Sequence, residues 1–219
     1  MGHTRHSRDD VAAAALRILD EHGLADLTMR RLAATLDVQA SALYWHFANK
    51  QTLLAALADL IVAREGAVQP TDEGWKAITL AQAVALRDAL LTYRDGAELV
   101  ASTLALGLGA REPGDRLTRA ISSGGFDDES SEAAAAVLLH FVLGHVSHEQ
   151  QRIQADSLGV VADSQAIDTA EAAVGRGSDA FRFGVELILS GLEVRSRARQ
   201  SGVSPRRSGD SASQATGWA

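Results

Sequence analysis

The 219-residue sequence contains no cysteine and only three prolines, and aromatic residues make up just 5% of it. Without cysteine the chain has no disulfide, no thiolate metal ligand and no cysteine nucleophile. No apolar run approaches the roughly 20 uninterrupted residues of a membrane span. The basic first residues lead into alanine-rich amphipathic sequence rather than into the apolar segment of a signal peptide. We therefore expect a cytoplasmic protein without a membrane partner.

Good helix formers fill the long stretches between the prolines. Runs of alternating β-branched and polar residues, which are typical of strands, are lacking. Hydrophobic residues make up 46% of the chain, which is enough for one large domain or two small ones. The sequence therefore predicts an all-α fold.

Helical periodicity and helix-end signals predict where the helices lie. The first runs from Ser7 to His22, with a capping box formed by Ser7 and Asp10 and a stop at Gly23. The others are expected at residues 30–36, 39–47, 50–68, 75–93, 97–106, 113–123, 129–154 and 179–199, with a weak helix at 164–174. The Ser- and Gly-rich residues 200–219 are predicted to form a disordered tail.

Two short predicted helices are separated by a tight turn at Asp37 and Val38, as in a helix-turn-helix motif. The second of them opens with the small and polar residues 39–42 (QASA), which would let its backbone enter a major groove. Lys50 begins the following helix, where backbone amides and the helix dipole favour a phosphate. These features predict a DNA-binding domain in residues 1–50.

Residues 27–33 (LTMRRLA) and 43–50 (LYWHFANK), followed by Leu53 and Leu54, resemble the DNA-binding domain of the tetracycline repressor (TetR) family. Trp75 and residues 89–96 (ALLTYRDG) and 183–193 (FGVELILSGLE) resemble the core domain of the tetracycline repressors. The resemblance implies a three-helix helix-turn-helix domain that a fourth helix joins to a larger ligand-binding and dimerisation domain, residues 51–199. It also implies a homodimer that binds a palindromic double-stranded DNA operator.

The resemblance assigns the DNA contacts residue by residue. Thr28, Tyr44 and Lys50 match positions that hold phosphates, and Arg30 matches a base-contacting arginine. The groove-facing positions are matched by Ser41, Ala42, Trp45 and His46. The small and polar start of the helix adds Gln39 as a further candidate DNA contact. Ala40 stands where the tetracycline repressors place a base-reading glutamine, so the operator sequence cannot be carried over.

The resemblance also locates a pocket for a small-molecule effector. The tetracycline repressors bind a drug with magnesium through a histidine and a glutamate, and these positions are Val100 and His148 here. A hard cation would therefore lose its oxygen ligand. We expect a mainly apolar effector that needs no metal and no cofactor. The expected ligand-binding residues are Gln82, Leu86, Val100, Thr103, Leu117, Ile121, His140 and His148.

The last predicted helix carries a stripe of apolar and small residues formed by Phe183, Leu187, Gly191 and Val194. Gly184 and Gly191 lie seven residues apart, and small residues permit close helix approach. With the long helix from Glu129, this stripe predicts a four-helix dimer interface. The alternative is an internal core helix.

Two other functions remain open on the sequence. His145, His148 and Glu149 share one helix face and could bind a metal, or a histidine could act as base in an all-helical enzyme. No other helix offers an obvious partner ligand, so we expect no enzymatic activity. The second alternative is a constitutive DNA-binding regulator whose interior is filled by side chains and takes no effector.

The formal charge of −7 argues against a nucleic-acid partner only if the charge is uniform. Residues 1–50 hold six basic and six acidic residues, so the whole acidic excess lies in residues 51–219. An acidic regulatory half would discourage non-specific docking of that half on DNA.

Overall fold

The computed structural model describes residues 6–64, 74–157 and 170–200. In these ranges every regular element is a helix, as the sequence predicts, and no helix is long and apolar enough to cross a bilayer. The predicted tail lies outside the described residues except for Gln200, as does most of the weak helix at 164–174. The helices are α1 (Arg8–His22), α2 (Met29–Thr35), α3 (Ala40–Leu43), α4 (Lys50–Val62), α5 (Trp75–Leu91), α6 (Gly96–Ala105), α7 (Glu112–Ser122), α8 (Asp128–Ser157) and α9 (Ala170–Gln200).

Local signals fix the ends of the first helices. The predicted capping box of α1 is present, and hydrogen bonds from the backbone and the side chain of Ser7 lower the pKa of the Asp10 carboxyl. Thr28 caps α2, since its Oγ1 accepts the Arg31 N–H at 3.1 Å. Helices α1 to α4 then share one core, whose fully buried side chains include Leu19, Leu32, Leu43, Phe47 and Leu53.

Three helix boundaries differ from the prediction by more than three residues. Helix α3 ends at Leu43 instead of residue 47, because the N–H groups of His46 and Phe47 both donate to the Leu43 carbonyl and form a turn. Helix α4 ends at Val62 rather than residue 68. Helix α9 begins at Ala170 rather than residue 179, so it includes Gly175 and Gly177. A glycine costs a helix only about 1 kcal/mol, which packing can offset.

A buried ion pair joins α5 and α8 in the larger domain. The Arg87 guanidinium donates to both carboxylate oxygens of Glu149 at 2.6 and 3.1 Å. The two side chains are only 7% and 13% exposed. The guanidinium also lies 5.6 Å from the ring centroid of Phe181, so α9 joins the same cluster.

Candidate functional site

Helix α3, the predicted recognition helix, is anchored by one face and exposed on the other. Leu43 and Phe47 are 1% and 2% exposed and hold it against α1, α2 and α4. Its other face contributes to a concave surface lined by His6, Val11, Asp37, Val38, Gln39, Ser41, Ala42, Leu43, Trp45 and His46. The structure thus brings four of the predicted groove-facing residues, Ser41, Ala42, Trp45 and His46, together with Gln39.

Two aromatic side chains project from the end of this surface. Trp45 is 90% exposed and Tyr44 is 51% exposed, so neither belongs to the core that buries Phe47. Lys50 follows as the first residue of α4 and is half-buried. Asn49 caps α4 by accepting the Thr52 N–H at 2.8 Å, and the helix N-terminus beside Lys50 favours an anion.

The two neighbouring arginines of α2 have different surroundings. The Arg31 guanidinium donates to Asp26 at 2.5 Å. Arg30 is exposed and makes no hydrogen bond or ion pair to any residue that the structure describes. Arg30 is therefore the arginine whose five donors remain available for a base edge.

Six of the eight predicted ligand-binding residues are buried in the interior of the larger domain. Their side chains are at most 9% exposed, and they are Gln82, Leu86, Val100, Thr103, Leu117 and Ile121. The Oε1 atom of Gln82 is buried and has no partner among the described residues. The same holds for Oγ of Ser131 on α8, a residue that the sequence analysis missed because one serine in a helix carries no pattern.

His140 and His148, the other two predicted ligand-binding residues, do not reach this interior. Both are exposed on α8. The buried face of α8 carries Ala135, Leu138, Val142 and Val146, and the two histidines fall on the opposite side of the helix. Helical spacing alone groups residues on one face without saying whether that face is buried.

The histidine and glutamate cluster does not form a metal site. His145 packs against the rings of Phe141 and Phe181, with centroids 5.6 and 5.3 Å away. Glu149 holds Arg87, and His148 is exposed. In the described ranges no three histidine, aspartate or glutamate side chains are placed to hold one metal ion.

The predicted dimer stripe of α9 is an exposed apolar surface. Phe183, Leu187 and Val194 are 67%, 63% and 65% exposed, and Val137 of α8 is 57% exposed. A groove between the two helices is lined in part by Val137 and Gly191. Four of the five predicted residues (Phe183, Leu187, Gly191 and Val194) are thus exposed on α9.

Gly184 is the exception. A methyl group at this position would overlap the ring of Phe141, so Gly184 serves close packing of α9 on α8 within the chain. Nothing lies within 4 Å of a methyl group added at Gly191. Although the two glycines lie seven residues apart, Gly184 packs against α8 and Gly191 is exposed.

Comparisons with known proteins agree with this geometry. The family model described as "Bacterial regulatory proteins, tetR family" matches residues 11–57, and "Tetracyclin repressor-like, C-terminal domain" matches residues 68–196. The class A tetracycline repressor from transposon 1721 of Escherichia coli is 34% identical over 216 residues, which cover 94% of this chain and all of that protein.

Two similar solved structures each contain a bound partner, which is DNA in one and a small molecule in the other. BioQ with its natural double-stranded DNA operator is 41% identical, with a TM-score of 0.70 over 85% of this chain and 98% of that one. A TetR variant from Acinetobacter baumannii AYE in complex with minocycline is 32% identical, with a TM-score of 0.66 over 86% of this chain and 97% of that one.

Proposed function

Because the chain belongs to the TetR family of bacterial regulatory proteins, we propose that it is a ligand-responsive repressor that binds a palindromic operator as a homodimer. The proposal rests on the presence of two separate surfaces in the same chain. One is the α3 surface with Arg30 and Lys50, and the other is the apolar stripe of α9. A two-fold dimer would place two recognition helices about 34–36 Å apart, which is the distance between successive major grooves.

Lys50 is expected to contact a phosphate and to contribute little to sequence preference. We expect Lys50→Ala to weaken binding to all duplexes alike and to lower the salt dependence of log K by about one unit of slope. The measurement is a fluorescence anisotropy titration on operator and random DNA at several salt concentrations. Lys76→Ala is the matched control, since Lys76 pairs with Glu193 in the larger domain. An unchanged slope would exclude the phosphate contact.

Arg30 is expected to read a base. Arg30→Ala should cost about 1–3 kcal/mol of discrimination at one base pair of each half-site. Arg31→Ala is the control, because Asp26 already holds the Arg31 guanidinium. Binding-site selection with both variants checks this. Relaxed preference at one position for Arg30→Ala alone supports the role, and equal losses on operator and random DNA contradict it.

The effector is proposed to bind in the interior around Leu86, Val100 and Leu117. These side chains are at most 1% exposed and make the site apolar. Gln82 supplies a buried oxygen that has no partner among the described residues and that can accept a hydrogen bond and orient the ligand. Val100 cannot bind a hard cation. The proposed ligand is therefore a mainly apolar molecule with a hydrogen-bond donor, bound without magnesium.

Helix α4 is the proposed lever of the response. Its first half packs in the DNA-binding domain through Leu53 and Leu57. Near its end, Asp59 accepts the Ala110 N–H at 2.7 Å and so meets the loop between α6 and α7. The dimer is proposed to alternate between two positions of α4, which differ in the distance between the two recognition helices. An effector that binds more tightly to one of these states shifts the dimer towards a distance that does not fit the operator.

The remaining candidate is a constitutive regulator with an interior that takes no ligand. Oε1 of Gln82 has no partner in the part of the chain that the structure describes, which favours an effector, since buried polar atoms are normally hydrogen-bonded. A screen for compounds that raise the melting temperature distinguishes the two functions. Hits that also release the operator, and that Gln82→Leu weakens, support the effector. Failure of every stabilising compound to release DNA favours the constitutive regulator.

A further inference from the structure

The turn between α5 and α6 is fixed to α8 by one buried glutamine. Gln150 is 7% exposed, and its Nε2 donates to the carbonyls of Leu90 and Tyr93 at 3.0 and 2.8 Å. Its Oε1 accepts the Ala97 N–H at 3.2 Å. One α8 side chain therefore binds the backbone on both sides of the turn.

Asp95, the last residue of this turn and the N-cap of α6, connects α8 with the DNA-binding domain. It has a φ of 56°, a left-handed conformation that aspartate tolerates. Its Oδ1 accepts Nε2 of Gln154 at 2.6 Å, and its Oδ2 accepts the Leu24 N–H at 2.9 Å. Leu24 directly follows Gly23, the C-cap of α1. A single carboxylate thus bridges two domains through charge-assisted hydrogen bonds.

The end of α1 fits this turn closely. Gly23 has a φ of 85°, and a methyl group there would lie 2.8 Å from Oδ2 of Asp95. The Arg94 N–H also donates to Oδ1 of Asp20, at 3.3 Å. Both features limit how the DNA-binding domain can move against the turn.

We propose that Asp95 and Gln154 are positioning residues that set the orientation of the DNA-binding domain on the larger domain. The hydrogen bonds that connect α8 to the DNA-binding domain run from Gln154 to Asp95 and from Asp95 to Leu24. This connection does not include α4. Helix α8 also carries Val137, which lines the groove between α8 and α9, so a change at that groove can reach α1 through Gln154 and Asp95. The consequence for operator binding rests on the proposed function, whereas the orientation itself does not.

The absence of native cysteine makes a direct test possible. Spin labels on Ala34→Cys in α2 and Asp115→Cys in α7, both exposed positions, report the distance between the two domains. Doubly labelled full-length chains are diluted into an excess of unlabelled protein, so that intrachain distances dominate. Pulsed electron paramagnetic resonance then gives the distance distribution.

We expect Gln154→Ala and Asp95→Asn each to broaden this distribution at temperatures well below melting. Affinity for a duplex that the protein selects from a random pool should fall roughly five- to tenfold, because a smaller fraction of the protein has the competent orientation. Asn suits the left-handed backbone but has one acceptor oxygen in place of two. Gln151→Ala, on an exposed neighbour, is the matched control and should change neither quantity.

Each outcome decides the proposal. Unchanged distributions in both variants would overturn it. Broadening with unchanged affinity would support the positioning role and would overturn its consequence for operator binding. A lower melting temperature with an unchanged distribution would show a merely stabilising role and would also overturn it. If Gln154→Ala fails to fold, Asp95→Asn decides alone. If the parent protein selects no duplex, the proposed function fails, and the distances still test the orientation.

Discussion

Replacing Leu187 by glutamate should convert the protein to a monomer and reduce operator affinity by a factor of roughly 10³ or more. Leu187 is 63% exposed at the centre of the apolar stripe of α9. A carboxylate buried there on each protomer costs several kcal/mol per ion. A monomer reaches only one half-site and loses the effective concentration, in the mM range, that links the second binding event to the first.

Leu106→Glu is the matched control for this prediction. Leu106 is also 63% exposed, but it lies at the end of α6 and outside the stripe. Sedimentation velocity gives the oligomeric state, anisotropy gives the operator affinity, and circular dichroism checks the fold. A Leu187→Glu protein that stays dimeric and binds fully would refute the assignment of this surface, whereas equal defects in both variants would point to lost solubility.

The second large expected effect is a loss of stability when the buried ion pair of Arg87 and Glu149 is broken. Arg87→Met should lower the free energy of unfolding by about 3–5 kcal/mol, because it leaves the Glu149 carboxylate buried without its partner. The double variant Arg87→Met, Glu149→Leu should recover most of this loss, since no uncompensated charge remains. Urea unfolding at one fixed protein concentration measures both, because association of protomers adds to apparent stability.

Arg94→Met is the control for the loss of an arginine, since Arg94 is exposed. It should change the free energy of unfolding by less than about 0.5 kcal/mol. An Arg87→Met variant as stable as the Arg94→Met variant would mean that water reaches Glu149. A double variant no better than Arg87→Met would mean that packing on Phe181 matters more than the charge.

The parts of the fold that follow from local chemistry could be predicted from the sequence. Ser7 caps α1 as predicted, and Thr28 and Asn49 cap α2 and α4 in the same way, because each side chain accepts a backbone N–H three residues away. The boundaries of α3 and α9 depend instead on packing that local propensity does not contain.

In the candidate site too, residues within one short segment could be predicted, whereas contacts between distant segments could not. Gln39, Ser41, Ala42, Trp45 and His46 line one surface because the motif fixes many positions within a short segment. The pair of Arg87 and Glu149 joins residues 62 positions apart, and the bridge from Gln154 to Asp95 joins residues 59 positions apart. A single sequence carries no signal for such contacts. The burial of one α8 face and the exposure of His140 and His148 likewise depend on which helices pack against α8.

Binding-site selection from random duplex DNA, followed by native mass spectrometry of the selected complex, tests the central claim most directly. The account predicts enrichment of a palindrome with half-site centres about one helical turn, or a multiple of it, apart. It also predicts two chains on each duplex. No enriched sequence, or an enriched single half-site bound by one chain, would contradict it.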